Sequence, residues 1–166
     1  MILLVNDANI FIDLLQIDLL TDFFQLPYKF HVTDLVAIEV HEANRDKLVA
    51  CMEQGVLLKK SFAYEELMEI QQLQVEYRRL SIPDCSCLFH AEKTSGRILT
   101  GDAALRRSAQ QRDIKVHGVL WVLDQLVEQE IISLKKAHEK LTQLLEKNPR
   151  LPGNECGKRL KKWKQG

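Results

Sequence analysis

The sequence lacks any long uninterrupted apolar run, and this absence limits the kind of protein that it encodes. No stretch approaches the roughly 20 apolar residues that a membrane-spanning helix requires. Residues 1–15 are apolar enough to resemble a signal peptide, but they have no basic start and no small-residue cleavage site, and Asp7 and Asp13 interrupt them. We therefore predict a cytoplasmic protein with no membrane partner.

Cysteine is also sparse, and its spacing excludes the common metal and disulfide patterns. The four cysteines form no Cys-x-x-Cys pair and accompany no histidine run of zinc-site spacing. Cys85 and Cys87 lie two positions apart on a predicted helix and therefore face different sides of it. We predict free thiols in a reducing compartment.

The chain has no net charge, but its charges are distributed unevenly. From residue 147 onward, seven basic residues accompany only Glu155, so this segment carries +6 and the rest carries −6. The seven are Lys147, Arg150, Lys158, Arg159, Lys161, Lys162 and Lys164. A basic tail of this kind permits contact with nucleic acid, but it is equally typical of a solvated, partly disordered terminus. Trp163 in this tail could stack on a base or pack against a neighbouring chain.

What the sequence does contain is an alternation of short apolar runs and helical patterns. Strands are predicted at 2–6, 30–33, 97–100 and 114–117, with a weaker candidate at 56–60. Helices are predicted at 9–16, 18–25, 34–51, 64–79, from Pro83, and at 103–113, 118–130 and 133–147. This alternation indicates one α/β domain over residues 1–132, with a central parallel sheet flanked by helices. Residues 133–166 would add a C-terminal helix and the basic tail.

Four acidic residues fall where such a fold would bring them together. Asp7 and Asp102 directly follow predicted strands, at the carboxyl ends where open parallel sheets place their ligand sites. Glu39 lies in the predicted helix after the second strand, and Asp84 lies in the first turn of the helix that Pro83 opens. Carboxylates that converge repel one another unless a cation holds them, so the pattern favours a hard divalent metal.

The order of these acids, with their flanking residues, resembles the PIN-domain nucleases. Asp7 lies in a D-x-N turn (NDANIFIDL), in which the resemblance gives Asn9 a supporting hydrogen-bonding role. Glu39 follows in TDLVAIEV, and Asp84 begins the helix in LSIPDCSCLFHAEK.

The last acid of the pattern lies in the TGD turn of RILTGDAALRRSA, where Asp102 follows the hydroxyl of Thr100. The resemblance spans about residues 1–130. Each motif is weak alone, and the order of the four is specific.

This resemblance implies a metal-dependent ribonuclease that leaves a 3′-hydroxyl and a 5′-phosphate. Asp7, Glu39, Asp84 and Asp102 would hold one or two Mg²⁺ or Mn²⁺ ions, which activate water and neutralise charge in the transition state. The implied partners are single-stranded or structured RNA and a second copy of the chain. The chain could also be the toxin of a toxin–antitoxin pair, with an antitoxin protein as partner.

Each assigned residue also has a simpler interpretation. The three aspartates could serve only as turn or helix-capping residues. Glu42 lies three residues beyond Glu39, on the same face of the predicted helix, and competes with it for the ligand role. Arg106 and Arg107 could touch substrate phosphate or lie in solvent.

Two other functions remain open from the sequence. The chain could be a catalytically inactive PIN-like binding module. It could also be a phosphatase of the haloacid-dehalogenase type, but such enzymes need a second acid two residues after the first, and Asn9 occupies that position.

Overall fold

In the computed structural model, which describes residues 1–164, five short strands form one parallel sheet. The strands are β1 (Leu3–Asn6), β2 (Lys29–Thr33), β3 (Leu58–Lys60), β4 (Arg97–Leu99) and β5 (Val116–His117). Their order in the sheet is β3-β2-β1-β4-β5. The predicted parallel sheet is therefore confirmed, including its weaker candidate at 56–60.

Helices flank the sheet and complete the α/β architecture. They are α1 (Ala8–Gln16), α2 (Leu20–Phe23), α3 (Asp34–Ala37), α4 (Glu42–Glu53), α5 (Tyr64–Glu76), α6 (Ile82–Thr94), α7 (Ala103–Gln111), α8 (Val119–Glu128), α9 (Leu134–Lys147) and α10 (Gly153–Trp163). None of these helices combines the length and the apolarity that a membrane span needs.

The central strand β1 determines where functional residues can meet. Its residues Leu4 and Val5 are fully buried, as the continuous apolar run predicts for a strand covered on both faces. Leu4 pairs with Phe30 of β2 on one side and with Arg97 of β4 on the other. The carboxyl ends of β1, β2 and β4 consequently lie next to one another.

The single helix predicted over 34–51 is wrong, because residues 38–41 form a turn that separates α3 from α4. Val40 is fully buried at this turn. Arg45 donates to the backbone carbonyls of Ile38 and Val40 at 3.2 and 3.3 Å. These hydrogen bonds satisfy carbonyl oxygens that have no helical partner because the helix is interrupted. Glu39 therefore lies in a turn and Glu42 begins α4, so the two do not share a helical face.

The basic tail is also more ordered than one interpretation of the sequence predicted. Gly153–Trp163 forms α10, which packs against α9, with Cys156 and Trp163 buried. Arg159 donates to both carboxylate oxygens of Asp124 in α8, at 2.9 and 2.7 Å. A disordered terminus is therefore wrong for this segment. Trp163 is 2% exposed within its own chain, so stacking on a base and packing on a neighbour are wrong as well.

Candidate active site

Asp7 occupies the junction between β1 and α1, where the buried strand turns into a helix. Its side chain is almost fully buried, at 6% exposure, and both carboxylate oxygens accept hydrogen bonds. Oδ1 accepts from the Ala8 amide at 2.8 Å, as expected of a helix-capping residue. Oδ2 accepts from Thr100 Oγ1 at 2.7 Å and from Asn9 Nδ2 at 3.1 Å. These contacts fix the orientation of the carboxylate.

The loop after β4 is tied to the loop after β1 by the same polar side chains. The Gly101 amide donates to Asn9 Oδ1 at 2.9 Å, and the Asp102 amide donates to Thr100 Oγ1 at 3.0 Å. Asn9 and Thr100, which the sequence assigned supporting roles, therefore connect Asp7 to the turn that carries Asp102. Their contribution to function stays a prediction.

Asp84 and Asp102 both cap helices, as the simpler interpretation required. Asp102 Oδ2 accepts from the Leu105 amide at 2.8 Å at the start of α7. Asp84 Oδ2 accepts from the Ser81 amide at 3.0 Å, while the Asp84 amide donates to Ser81 Oγ at 3.2 Å, which forms a capping box. Within residues 1–164, the Oδ1 atoms of both aspartates make no hydrogen bond. Capping therefore uses one oxygen of each and leaves the other for a ligand.

Asp7 and Glu39 each lie close enough to other acids for the neighbouring negative charges to raise their pKa. Burial raises the pKa of Asp7, and the negative charges of Asp84 and Asp102 raise it further, against the hydrogen bonds from Thr100 and Ala8. Burial likewise raises the pKa of Glu39, followed by the charges of Asp7 and Asp84. Asp7, at the carboxyl end of β1, is thus the acid that interacts with each of the other three.

A second glutamate, Glu42, differs from Glu39 in its exposure and in its effect on the neighbouring acids. Glu42 is exposed at the first residue of α4, and it is not among the charges that shift the pKa of Asp7 or Glu39. Glu39 is also among the carboxylates that raise the pKa of the buried thiol of Cys87, after burial itself and together with Asp7 and Asp84. These charge interactions therefore associate Glu39, and not Glu42, with the aspartates.

The donor set fits a hard divalent cation in its chemistry. Carboxylate oxygens are the ligands that Mg²⁺ and Mn²⁺ prefer. Every charge that shifts the pKa of Asp7 or Glu39 is itself a carboxylate, so the cluster carries unbalanced negative charge. In the part of the chain that the structure describes, no three acidic, histidine or cysteine side chains yet stand close enough to enclose an ion. A cation held by all four carboxylates would require them to lie closer together, and Glu39 is the most exposed of the four.

The family comparison agrees with the fold and with this cluster. A family model described as DUF3368, a PIN domain, matches residues 3–165. This chain belongs to the PIN-domain family. The predicted resemblance is confirmed, and the matched range extends beyond residue 130 to include α9 and α10. Among curated proteins, none matches the sequence.

Membership of the PIN family decides between the enzyme classes that the sequence left open. PIN domains are generally nucleases and typically use divalent metals, so a nuclease fold is confirmed at that level. The haloacid-dehalogenase alternative is wrong, because the family match spans nearly the whole chain.

Beside the acidic cluster, this PIN domain has a cleft that the sequence did not predict. The cleft has a volume of about 620 Å³, and its lining includes Asn9, Asp102, Arg106, His117 and Trp121. The rule that found Asp7 and Asp102 also applies to His117, which ends β5 at the same edge of the sheet. The sequence therefore contains a signal for His117, as the last residue of the strand predicted at 114–117.

Only one of the two neighbouring arginines of α7 faces this cleft. Arg106 lines it, and its Nη2 donates to the Thr100 carbonyl at 3.4 Å. Arg107 is exposed and lies instead near Tyr77 and Arg78, at the end of α5. The two arginines that could touch substrate phosphate therefore lie on different surfaces.

Proposed function

We propose that this PIN domain is a metal-dependent endoribonuclease that hydrolyses phosphodiester bonds in RNA. The observation that carries the proposal is the buried carboxylate of Asp7, which Thr100 and Asn9 hold in one orientation while Asp84 and Asp102 act on it with like charge. Burying one carboxylate among others costs free energy, and binding a divalent cation offsets that cost.

Asp7, Glu39, Asp84 and Asp102 would together hold one or two Mg²⁺ or Mn²⁺ ions. When bound, such ions supply a water of lowered pKa and neutralise charge that develops on the phosphate. Asp7 provides the fixed member of the ligand set, because both of its oxygens are held by hydrogen bonds. Asp84 and Asp102 would bind through their Oδ1 atoms, which make no capping hydrogen bond.

Glu39 has the properties of a group that orients the attacking water and accepts its proton. Burial and the neighbouring carboxylates raise its pKa, and a more basic carboxylate accepts a proton more readily. Attack of the water on the phosphorus would leave a 3′-hydroxyl on one product and a 5′-phosphate on the other.

The remaining expectations belong to the same proposal. We expect the protein to be cytoplasmic and to form a homodimer. We also expect it to act as the toxin of a toxin–antitoxin pair, whose antitoxin covers the acidic cluster. The alternative, a PIN-like binding module without activity, differs from the proposal in one measurable respect. It would bind RNA in the presence of metal and leave it intact.

The deciding experiment measures cleavage of end-labelled single-stranded RNA with Mg²⁺ or Mn²⁺ and with EDTA. Wild type should cleave only with metal, and Asp84→Asn and Asp102→Asn should each lower the rate by about 100-fold. Asparagine keeps an oxygen that can cap the helix, so both variants should fold. Asp46→Asn, an exposed acid of α4, is the matched control. Intact RNA with wild type, or undiminished cleavage by both variants, would contradict the proposal.

A further inference from the structure

The cleft beside the acidic cluster is lined both by residues of the candidate active site and by the connection between α9 and α10. Its lining includes Asn9 and Asp102 of that site, and Asn148 and Arg150 of that connection. Its volume of about 620 Å³ is within the range of sites that hold small ligands. The cleft therefore shares Asn9 and Asp102 with the site at which a phosphate would react.

The wall of the cleft carries a flat aromatic pair. The rings of His117 and Trp121 stack with centroids 4.0 Å apart and an interplanar angle of 10°. Arg97 Nη1 donates to His117 Nε2 at 3.2 Å, so this nitrogen is an acceptor. Tyr28 lies against Trp121, with centroids 5.6 Å apart. Half-buried aromatic rings held in this way are the surfaces on which unpaired bases stack.

Basic side chains line the same cleft as this aromatic pair. Arg106 makes only the long contact with the Thr100 carbonyl, and Arg150 is exposed and forms no ion pair within residues 1–164. Arg159 also lines the cleft, but its guanidinium is committed to Asp124 and Glu155. Two guanidinium groups, those of Arg106 and Arg150, thus remain for phosphate.

We propose that the cleft binds one unpaired nucleotide of the RNA strand, next to the phosphate that is cleaved. Its base lies against His117 and Trp121, and Arg106 and Arg150 bind its flanking phosphates. The proposal rests on the proposed nuclease function, and it adds a nucleotide-binding subsite beside the acids. A base inside a duplex is already stacked and paired, so the cleft selects single-stranded RNA.

The test measures binding in EDTA, so that no cleavage accompanies it. The anisotropy of a labelled short oligouridylate reports affinity for the full chain. Arg106→Gln and Arg150→Gln should each weaken binding by about three- to tenfold and lower the salt slope by about one. Arg107→Gln is the matched control, because Arg107 is the next residue of α7 and lies outside the cleft. Arg150 is exposed, so its replacement leaves the fold intact.

A second measurement reports the base directly. The chain has two tryptophans, and Trp163 is buried away from the cleft, so a Trp163→Phe background leaves Trp121 as the only indole. The oligouridylate should quench the fluorescence of Trp121, and a duplex of equal length should not.

The outcomes separate this inference from the nuclease proposal. Equal losses of affinity with Arg106→Gln, Arg150→Gln and Arg107→Gln would overturn the proposed nucleotide site in the cleft. Equal quenching by duplex RNA would overturn it as well. Loss restricted to Arg106 and Arg150 supports the cleft even if wild type cleaves nothing with Mn²⁺, a result that would overturn only the nuclease proposal. Metal-dependent cleavage without any change of binding in these two variants would overturn only the cleft.

Discussion

Thr100 Oγ1 donates a hydrogen bond of 2.7 Å to Asp7 Oδ2, across 93 residues of sequence. The same oxygen accepts from the Asp102 amide at 3.0 Å, so one hydroxyl joins the turns that follow two adjacent strands. The hydrogen bond to Asp7 also favours the ionised form of that carboxyl and lowers its pKa.

Removing this hydroxyl should weaken metal binding. Thr100→Val is expected to raise the pKa of Asp7 further, because burial and the like charges then act without the opposing hydrogen bond. Higher Mn²⁺ should be needed for half-maximal cleavage, and the free energy of unfolding should fall by about 1–3 kcal/mol. Thr100→Ser keeps the hydroxyl and should behave like wild type. A normal metal requirement in Thr100→Val would show that this contact is only structural.

Divalent metal should stabilise the fold through linkage. At a concentration about 100 times the dissociation constant, Mn²⁺ contributes about 2.7 kcal/mol and should raise the melting temperature by about 5–10 °C. In Asp84→Asn, relief of repulsion should keep the metal-free melting temperature at or above that of wild type, and the shift with Mn²⁺ should be much smaller. Thermal denaturation with EDTA and with Mn²⁺ measures both. An equal shift in the two proteins would exclude Asp84 from the ligand set.

The two candidate glutamates should differ sharply. Glu39→Gln should lower the cleavage rate by about 100-fold, because it removes the group that accepts the proton of water. Glu42→Gln should cleave at the wild-type rate, since Glu42 is exposed at the start of a separate helix. Single-turnover cleavage at saturating metal compares them. The reverse result would transfer the role to Glu42.

Asp13 should make stability depend on pH. Burial raises its pKa to about 6, while the amide of Asn148 donates to it at 3.3 Å and partly offsets this. The folded protein therefore holds this proton more tightly than the unfolded chain, and the resulting stability is lost as the pH rises through about 6. Asp13→Asn removes the charge and keeps an acceptor oxygen for Asn148.

Relative to wild type, Asp13→Asn should therefore gain about 1–3 kcal/mol in free energy of unfolding between pH 4 and pH 8. Urea denaturation at the two pH values measures this gain. Asp18→Asn, an exposed residue just beyond the same helix, controls for the substitution itself. A difference that stays constant with pH would show that Asp13 is not the group responsible.

The parts of the fold that the sequence predicted are those that local patterns determine. Strand β1 and Asp7 follow from a short apolar run and a turn residue. The break before α4 could not be predicted, because it depends on the burial of Val40 and on Arg45, which donates to carbonyls five and seven residues away.

The last helix and the cleft were missed for different reasons. In α10 the apolar positions Cys156, Leu160 and Trp163 follow a helical period, but the lysines and arginines between them dominate the composition. The cleft joins His117 and Arg150, which only the tertiary structure brings together.

The capping contacts of the three aspartates also bear on how such a chain can evolve. Asp7 and Asp102 are the N-caps of α1 and α7, and Asp84 belongs to the capping box of α6. Asparagine caps a helix about as well as aspartate does. At Asp84 and Asp102, whose Oδ1 atoms make no hydrogen bond within residues 1–164, one substitution to asparagine would therefore remove a proposed metal-binding charge at little expense to the fold. Under the proposed function, a single substitution that keeps the helix cap would therefore convert this chain from a nuclease into a protein that only binds RNA.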